Sequence, residues 1–327
     1  MKRNDFFDLI RGIACILVIF CHFKIECWYG KYLTALARFA VPFFLLLSGY
    51  FANRGTVLEN ISYSKKRIKA TLCLIFFGVV SSAISNTFCN LLENKHFYQW
   101  LLDALSFKTF ILFLFFNRAR FLSSVMYYLF MLLYVFCIFI ALNKYKLLYK
   151  IRYIVPVLLL CNIVISSRFS EHFWMVANFL FTGIPFFLIG YYIREQRIKE
   201  IHCGWKCVPA CAVIVGIIFT IVERTFWGDS FLYFGSVILS ISLIVCGLVY
   251  NIKIPKFLVL FGTKCSVFIF LFHCPMGYLL EAIFKKYGLY CMLPLSIIVL
   301  LVSLSFSVIF AVFKETIFKK YVYKKLT

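Results

Sequence analysis

The segment FDLIRGIACILVIFCHFKIEC, residues 7–27, places an arginine and a histidine inside an apolar stretch long enough to cross a bilayer. Arg11 and His22 are eleven residues apart, and eleven helical steps of about 100° return to within roughly 20° of the starting direction. Both side chains should therefore project from one helix face, about 16 Å apart along the axis, with Arg11 near one membrane face and His22 past the middle. Because an ionisable residue in hydrocarbon costs roughly 2.5–3.5 kcal/mol, the pair indicates a functional path. The alternative is a helix-packing pair or a snorkelling arginine.

The whole chain has the composition of an integral membrane protein. Of its 327 residues, 63% are hydrophobic, 20% are aromatic and only 15% are charged, with a mean hydropathy of +0.93. A formal net charge of +22 is also typical of nucleic-acid-binding proteins, but here the basic residues lie between the apolar runs. The positive-inside rule and anionic lipid headgroups account for that placement. Because no basic stripe lies on a polar scaffold, we expect membrane lipids and not nucleic acid as partners.

The apolar runs predict one domain, residues 1–327, that is an all-α membrane bundle of about ten transmembrane helices. An excess of Lys and Arg in the loops on the N-terminal side of the membrane predicts that both termini are cytoplasmic. A further apolar stretch, Phe107–Phe116, is too short to cross and predicts a re-entrant or interfacial segment on the outer face. The predicted spans are 7–27, 33–52, 70–90, 121–142, 151–167, 173–193, 207–223, 230–250, 257–280 and 289–313.

The 14 cysteines predict neither a disulfide framework nor a metal site. Most stand alone in apolar stretches, where a free thiol packs as a small hydrophobic group. One cluster, His202, Cys203, Cys207 and Cys211, has four-residue steps that would align thiols on a helix face. No second pair of ligands has matching spacing, so we expect no bound metal.

Acidic residues stand at helical spacing from both ionisable residues of the first span. Asp8 precedes Arg11 by three positions and can form an ion pair that lowers the cost of burying the guanidinium. Glu26 follows His22 by four positions and can orient the imidazole. A neutral histidine beside a carboxylate can act as a general base or as a nucleophile.

Two later spans carry further candidate residues. The Ser48-Gly49 step is small enough to allow close approach of another helix. Pro275 removes one backbone donor and should kink its helix, leaving carbonyl groups that need partners. His273, two residues earlier, is either a second member of the site or a structural residue that satisfies a freed backbone group.

The densest basic cluster on the inner side is SKKRIK, residues 64–69. It can serve only to fix the topology, or it can bind phosphates through the forked donors of an arginine and the point charges of lysines. A nucleotide-bearing acyl donor in the cytoplasm would supply such phosphates. The residues in question are Lys66, Arg67 and Lys69.

Together these segments resemble the acyltransferase 3 family of bacterial integral membrane acyltransferases. Asp8, Arg11 and His22 match the family's Arg-x10-His signature and its preceding acidic residue. Residues 42–51 resemble the family's Phe-Phe-x-x-Ser-Gly segment. Residues 181–191 resemble the family's later Gly-containing span. Residues 261–275 resemble its stretch with Gly-x-x-Ser and Leu-x-His-x-Pro motifs.

This resemblance implies a membrane-embedded O-acyltransferase in the bacterial cytoplasmic membrane. It implies that an acyl-CoA, with acetyl-CoA as the expected donor, binds from the cytoplasm. The acyl group would pass to a hydroxyl of a cell-surface or lipid-linked polysaccharide. The implied catalytic residues are His22 and Arg11. We expect Asp8, Glu26, Ser48 and His273 to be supporting residues and Lys66, Arg67 and Lys69 to bind the donor; Glu26 and the two lysines are taken from spacing and charge and not from the resemblance.

Two positions depart from the family pattern. Ala70 stands where the second arginine of a cytoplasmic Arg-x-x-Arg motif would follow Arg67. Either Lys69 or Lys66 supplies that charge, or donor binding is altered. Residues 126–128 read Met-Tyr-Tyr where relatives often carry a Trp-Tyr pair, which bears on the acceptor pocket.

A transporter or flippase for a polar or polyprenyl-linked glycan is the alternative function. In that protein Arg11 and His22 would line a pathway without covalent chemistry. The sequence shows neither an inverted repeat nor paired Gly- or Pro-broken helices at matching positions, features that many transporters have. An acyltransferase would modify its acceptor chemically, whereas a transporter would leave it unchanged.

Overall fold

The computed structural model describes residues 4–93, 102, 106–116, 125–196, 206–250, 252–289 and 294–326, with side chains except at 170, 171, 173 and 311–326. The described residues form helices and no β-strand. A 3-10 helix covers Ser170–Met175, and π-helical turns cover Phe179–Gly183 and Phe261–Cys265. The α-helices are α1 Asp5–His22, α2 Gly30–Ala37, α3 Ala40–Ala52, α4 Val57–Leu92, α5 Phe107–Phe116, α6 Met126–Lys144, α7 Leu148–Ile151, α8 Val155–Arg168, α9 Ile184–Glu195, α10 Cys207–Trp227, α11 Phe234–Val249, α12 Lys256–Leu260, α13 Ser266–Tyr287 and α14 Leu295–Leu326.

The helices have the lengths and the apolar character of a membrane protein. Five helical stretches of the described chain are long and apolar enough to cross a bilayer: Gly30–Ala52, Val57–Leu92, Met126–Lys144, Cys207–Trp227 and Lys256–Tyr287. Three shorter apolar helices are Val155–Arg168, Phe234–Val249 and Leu295–Phe310. The predicted all-α membrane class is confirmed, while the number of crossings and the side of the termini stay predictions. Parts of two predicted spans, residues 121–124 and 290–293, lie outside the described residues.

Helix α1 is shorter at its C-terminal end than the predicted span 7–27. The side chain of Asn4 caps its start by accepting hydrogen bonds from the backbone N–H groups of Phe6 and Phe7. The backbone becomes extended at Phe23, just before a stretch that contains charged residues. His22 is therefore the last helical residue and not a residue past the middle of a continuing helix.

Helix α4 is much longer than the predicted span 70–90 and includes the basic cluster that was predicted to lie in a loop. Thr56 caps its start, since its Oγ1 accepts from the backbone N–H of Glu59 and donates to the Glu59 carboxylate. No glycine or proline follows until Gly78, so nothing in the sequence interrupts the helix. Its 36 residues extend about 54 Å, more than the roughly 30 Å of a hydrocarbon core.

Other predicted spans are interrupted where they were expected to be continuous. The span 33–52 is divided into α2 and α3 at Arg38 and Phe39. Pro156 and Pro185 stand in the first turns of α8 and α9, the position where proline is well accommodated because the missing N–H would have no helical partner. The spans 151–167 and 173–193 each contain more than one helical piece.

The predicted short apolar segment coincides with α5, Phe107–Phe116. The ring of Phe113 packs at 4.6 Å against that of Phe130 on α6, while Phe107 is largely exposed. The segment is thus a helix attached to the outside of α6. Its predicted interfacial position stays a prediction.

Helix α1 runs parallel to the π-turn and α13. The Cys15 thiol lies 3.4 Å from the carbonyl oxygen of Ser266, and seven residues further along both helices His22 lies against His273. An added Cβ at Gly262 would overlap the backbone carbonyl of Asp8, so this close contact requires glycine. The contact fixes which faces of the two helices meet and so positions the histidine pair.

The Ser48-Gly49 step allows the predicted close approach of a second helix. An added Cβ at Gly49 would overlap the backbone of Phe187 on α9. One turn further along both helices, the Asn53 amide donates to the carbonyl oxygen of Tyr191 at 3.3 Å. Helices α3 and α9 are therefore parallel and in close contact.

Helices α4 and α6 are antiparallel. The Asn60 amide donates to the Asn143 side-chain oxygen at 3.0 Å near one end of the pair. Near the other end, an added Cβ at Gly78 would press on the thioether of Met126. Asn60 precedes Gly78 along α4, whereas its partner Asn143 follows Met126 along α6, so the two helices run in opposite directions.

Candidate active site

The predicted ion pair on the first helix is present. An Arg11 Nη1 donates to Asp8 Oδ1 at 3.0 Å, and the Asp8 carboxylate is buried. The guanidinium also lies 5.7 Å from the centre of the Phe51 ring, a cation–π distance. The sequence spacing of three residues therefore predicted this contact correctly.

His22 lies beside His273 of α13. The ring centroids are 5.3 Å apart, and His273 is completely buried while His22 is partly buried. The Nδ1 of His273 is 2.7 Å from the carbonyl oxygen of Ile269. Because a carbonyl oxygen can only accept, Nδ1 carries the proton and the neutral ring keeps a lone pair on Nε2. That Nε2 is buried and has no hydrogen-bond partner in the part of the chain that the structure describes.

The structural alternative for His273 does not take the predicted form. Pro275 cannot donate to the carbonyl of Leu271, four residues before it, whereas His273 donates to Ile269. Helix α13 continues through the proline to Tyr287, and the Pro275 carbonyl accepts from Ser85 on α4 at 2.7 Å. His273 therefore does not satisfy the group that Pro275 frees.

Glu26 does not stand where the helical spacing placed it. The prediction assumed that the helix continues four residues beyond His22, but α1 ends at His22 and Glu26 is exposed. The spatial neighbours of His22 are instead His273 and Arg38, which is close enough to act on the imidazole electrostatically.

Polar groups also lie between the levels of Arg11 and His22. The hydroxyl of Ser48 donates to the carbonyl oxygen of Phe44 at 2.8 Å and is within hydrogen-bonding reach of the Tyr128 phenol. Tyr128 in turn packs at 5.3 Å against Phe270, one turn before His273. Tyr128 belongs to the Met-Tyr-Tyr triplet that departs from the family pattern, and that departure was the sequence signal for it.

The predicted donor-binding residues lie on an exposed part of α4. The Arg67 Nε donates to the Tyr63 hydroxyl at 2.8 Å, and the Arg54 guanidinium lies 4.2 Å from the centre of the same ring. Lys66 and Lys69 are exposed on the adjacent turns. The structure thus brings Arg54, from the loop before α4, next to the predicted donor-binding residues.

A second charged cluster at the His22 end of α1 was not predicted. It is centred on Asp229, whose carboxylate is contacted by Lys24, Arg38 and Arg224 at 3.3–3.9 Å. Arg38 lies inside the predicted span 33–52, and a cation within a membrane span is by default a candidate functional residue. That position was the sequence signal that could have revealed the cluster. The partner could not be read from the sequence because the two residues are distant along the chain.

Three residues of the described chain could together hold a metal ion. The ligand atoms of His22, His273 and Cys274 lie within 4.8 Å of one another, and nitrogen and sulfur donors suit zinc. Since Nδ1 of His273 is bound to Ile269, its ligand atom would be Nε2. This group was not among the residues considered for a metal in the sequence. Of the cluster that was, and for which no metal was expected, His202 and Cys203 lie outside the described residues, and Cys207 and Cys211 are free thiols.

Comparison with known proteins defines the class of this bundle. The family model Acyl_transf_3, described as an acyltransferase domain, matches residues 4–314, nearly the whole chain. The chain therefore belongs to the acyltransferase 3 family, and its apolar helices make it an integral membrane member. Searches of curated proteins and of solved structures found no match.

Proposed function

We propose that this protein is an O-acyltransferase of the bacterial cytoplasmic membrane. It transfers an acyl group, in the first instance acetyl, from cytoplasmic acyl-CoA to a hydroxyl of a cell-surface or lipid-linked polysaccharide. The observation that carries the proposal is the histidine pair, in which an unpartnered Nε2 faces a second imidazole within an acyltransferase fold. Such a pair offers a base at the end of a helix that also carries Arg11, a cation paired with the buried Asp8.

The directions of the helices support a topology with ten crossings and both termini in the cytoplasm. In that topology α1 and α13 cross in the same direction, as do α3 and α9, while α4 and α6 cross in opposite directions. The contacts of all three pairs agree with these directions. Helix α1 would then begin at the inner face and present His22 toward the outer face.

The donor is held at the inner face by the exposed cations of α4. Arg67, Lys66 and Lys69 would bind the phosphates of acyl-CoA, with Arg54 contributing from the adjacent loop. The pantetheine arm would enter the bundle along the face of α1 that carries Arg11. About 16 Å separates Arg11 from His22 along the axis, so Arg11 steers the donor and does not contact the histidine.

His22 acts on the acceptor hydroxyl. As a general base it takes the hydroxyl proton while the alcohol oxygen bonds to the thioester carbon. The C–S bond then breaks, and the CoA thiolate receives the proton from the imidazolium. His273 is positioned to stabilise the charged His22, because its Nε2 lies at a distance that one water molecule bridges.

An acyl-histidine route uses the same residues. His22 would attack the thioester carbon, release CoA as the thiol and then pass the acyl group to the acceptor oxygen. The two routes differ in whether the protein carries the acyl group in the absence of acceptor. Radiolabel retained on the protein after incubation with labelled acetyl-CoA alone, and lost on addition of acceptor, would select this route.

Mass spectrometry of surface glycans tests the proposed function. Glycans from cells with the gene should carry acyl groups that are absent from cells without it, and the mass difference identifies the group. A transporter or flippase would change the amount or location of the glycan without changing its chemical composition. Identical acylation in the two strains would contradict the proposal.

A further inference from the structure

Three cations converge on one carboxylate at the His22 end of α1. Asp229 Oδ2 lies 3.3 Å from Lys24 Nζ, and Asp229 Oδ1 lies 3.5 Å from an Arg38 Nη2 and 3.9 Å from an Arg224 Nη1. One negative charge against three positive charges leaves a formal excess of two positive charges. This excess is not needed to hold Asp229 and is available to an anion.

Each of the two arginines also carries a buried hydrogen-bond donor for which the described part of the chain supplies no acceptor. The Nε atoms of both Arg38 and Arg224 are buried and have no hydrogen-bond partner among the described residues. Buried donors are normally satisfied, and unsatisfied ones indicate a missing partner. The oxygens of an anion would supply it, because guanidinium groups bind carboxylates and phosphates through forked donors.

The cluster is held in a fixed loop. Gly228 ends α10 with a φ of +77°, a conformation that favours glycine. The Tyr233 hydroxyl donates to the Gly228 carbonyl at 2.9 Å and accepts from the Ser230 N–H at 3.1 Å, which closes the loop around Asp229. Asp229 is therefore positioned before any ligand arrives.

The cluster adjoins the histidine pair. Lys24, which lies 3.3 Å from Asp229, follows His22 by two residues. The Cys21 thiol before His22 lies 3.8 Å from the carbonyl oxygen of Thr34, one turn before Arg38. A ligand held by Arg38 and Arg224 would thus lie beside the base of the proposed reaction. The exposed cations of α4, in contrast, lie beyond the other end of α1 in the proposed topology.

We propose that Arg38, Arg224 and Lys24 bind an anionic group of the acyl acceptor, an inference that rests on the proposed function. That group is the carboxylate of an acidic sugar or the phosphate of a lipid-linked glycan, two sources of the same oxyanion chemistry. Binding it would hold a nearby acceptor hydroxyl against His22. The acceptor would then be an anionic glycan.

The test uses the full chain in nanodiscs of zwitterionic lipid, with glycan from cells that lack the gene as acceptor. Arg38→Gln and Arg224→Gln should each raise the KM for this acceptor about tenfold, since each removes an anion contact. In Arg224→Gln, which keeps the charge of Arg38 near His22, kcat should change less than about twofold. Lys286→Gln removes an exposed charge of α13 and should leave KM unchanged. Unchanged KM values in both arginine variants would overturn the proposal.

Two soluble anions distinguish the sources. Glucuronate should compete with the acceptor if the site takes a carboxylate, glucose 1-phosphate should compete if it takes a phosphate, and neutral glucose should not compete. Competition should weaken in Arg38→Gln. If only phosphatidylglycerol added to the nanodisc competes, the occupant is a lipid headgroup and the proposal is overturned.

A variant that is expected to lower KM separates loss of the anion site from simple misfolding. Asp229→Asn removes the one negative charge and should tighten anion binding, giving a lower KM and a larger rise in Tm on addition of the competing anion. Arg38→Lys keeps the charge without the fork and should give an intermediate KM. A higher KM in a folded Asp229→Asn protein would overturn the proposal.

The two proposals fail in different ways. Acyl transfer by the wild-type protein with no effect of Arg38 or Arg224 would overturn the anion site and leave the proposed function intact. No acyl transfer by the wild-type protein would overturn the proposed function and, with it, the assignment of the anion to an acyl acceptor.

Discussion

The imidazole of His273 lies 5.3 Å from that of His22, and its one bound nitrogen is held by the carbonyl oxygen of Ile269. The other nitrogen carries the lone pair and is buried, with no hydrogen-bond partner among the residues that the structure describes. This arrangement gives His273 a defined tautomer. The family's helical motif supplies one histidine, and a helix distant in sequence supplies the other.

Two substitutions of His273 separate its structural role from its chemical role. In His273→Asn the shorter amide can keep a donor near Ile269 but places no basic nitrogen at the Nε2 position. We expect the variant to fold and to lose acyl transfer by about 10²-fold, in the range typical of general acid–base contributions. The measurements are Tm and the rate with labelled acetyl-CoA. Folded His273→Asn protein with the wild-type rate would show that Nε2 has no part in the reaction.

Donor affinity should depend on the cations of α4. Arg67→Gln removes a forked phosphate donor, so the KM for acetyl-CoA should rise about tenfold and the kcat should change little. The matched control is Lys146→Gln, which removes an exposed basic residue from the loop after α6. The effect should diminish at high salt because exposed charges are screened. An equal rise of KM in both variants would assign the effect to net charge and not to a site.

The close contact between α1 and the π-turn should be sensitive to one methyl group. In Gly262→Ala the new Cβ would overlap the Asp8 carbonyl and force the backbones apart, at a cost of about 1–3 kcal/mol. In Gly12→Ala the nearest atom, the Gly262 nitrogen, is 3.1 Å away, so a smaller shift suffices. Thermal unfolding in detergent should rank the two variants in that order. The reverse order would contradict the described packing.

The Asp229 cluster predicts an acid-sensitive stability. Burial raises the pKa of the Asp229 carboxyl, but the charges of Arg38, Lys24 and Arg224 outweigh burial and leave the pKa below its usual value. A lowered pKa in the folded state contributes stability above the unfolded pKa, about 4, and that stability is lost as the pH falls through the folded pKa. Tm measured from pH 7 down to pH 3 should fall in this window less steeply in Asp229→Asn than in the wild type. Identical curves would show that the cluster does not contribute.

The local features of α1 could be predicted from the sequence because they depend only on helical geometry. The Asp8–Arg11 pair follows from a spacing of three residues, and the shared face of Arg11 and His22 follows from the helical period. The same reasoning failed for Glu26, since periodicity does not reveal where a helix ends. The membrane class and the family followed from composition and from the order of motifs.

The contacts between distant helices could not be predicted in this way. His22 meets His273, and Arg38 meets Asp229, only because the bundle places their helices side by side. A single sequence contains no spacing rule for such pairs. The sequence analysis also missed that the basic cluster is helical, for a different reason. Topology prediction assigns charged segments to loops, whereas the cap at Thr56 starts the helix before the basic residues begin.

The most direct test of the account is the rate of acyl transfer from labelled acetyl-CoA to glycan by purified His22→Ala protein. We predict a loss of about 10²-fold or more, with Tm close to that of the wild type, because His22 ends its helix and is only partly buried. The control is His172→Ala, which removes an exposed histidine away from the pair and should keep the full rate. Transfer by His22→Ala at the wild-type rate would contradict the central claim that this imidazole carries the reaction.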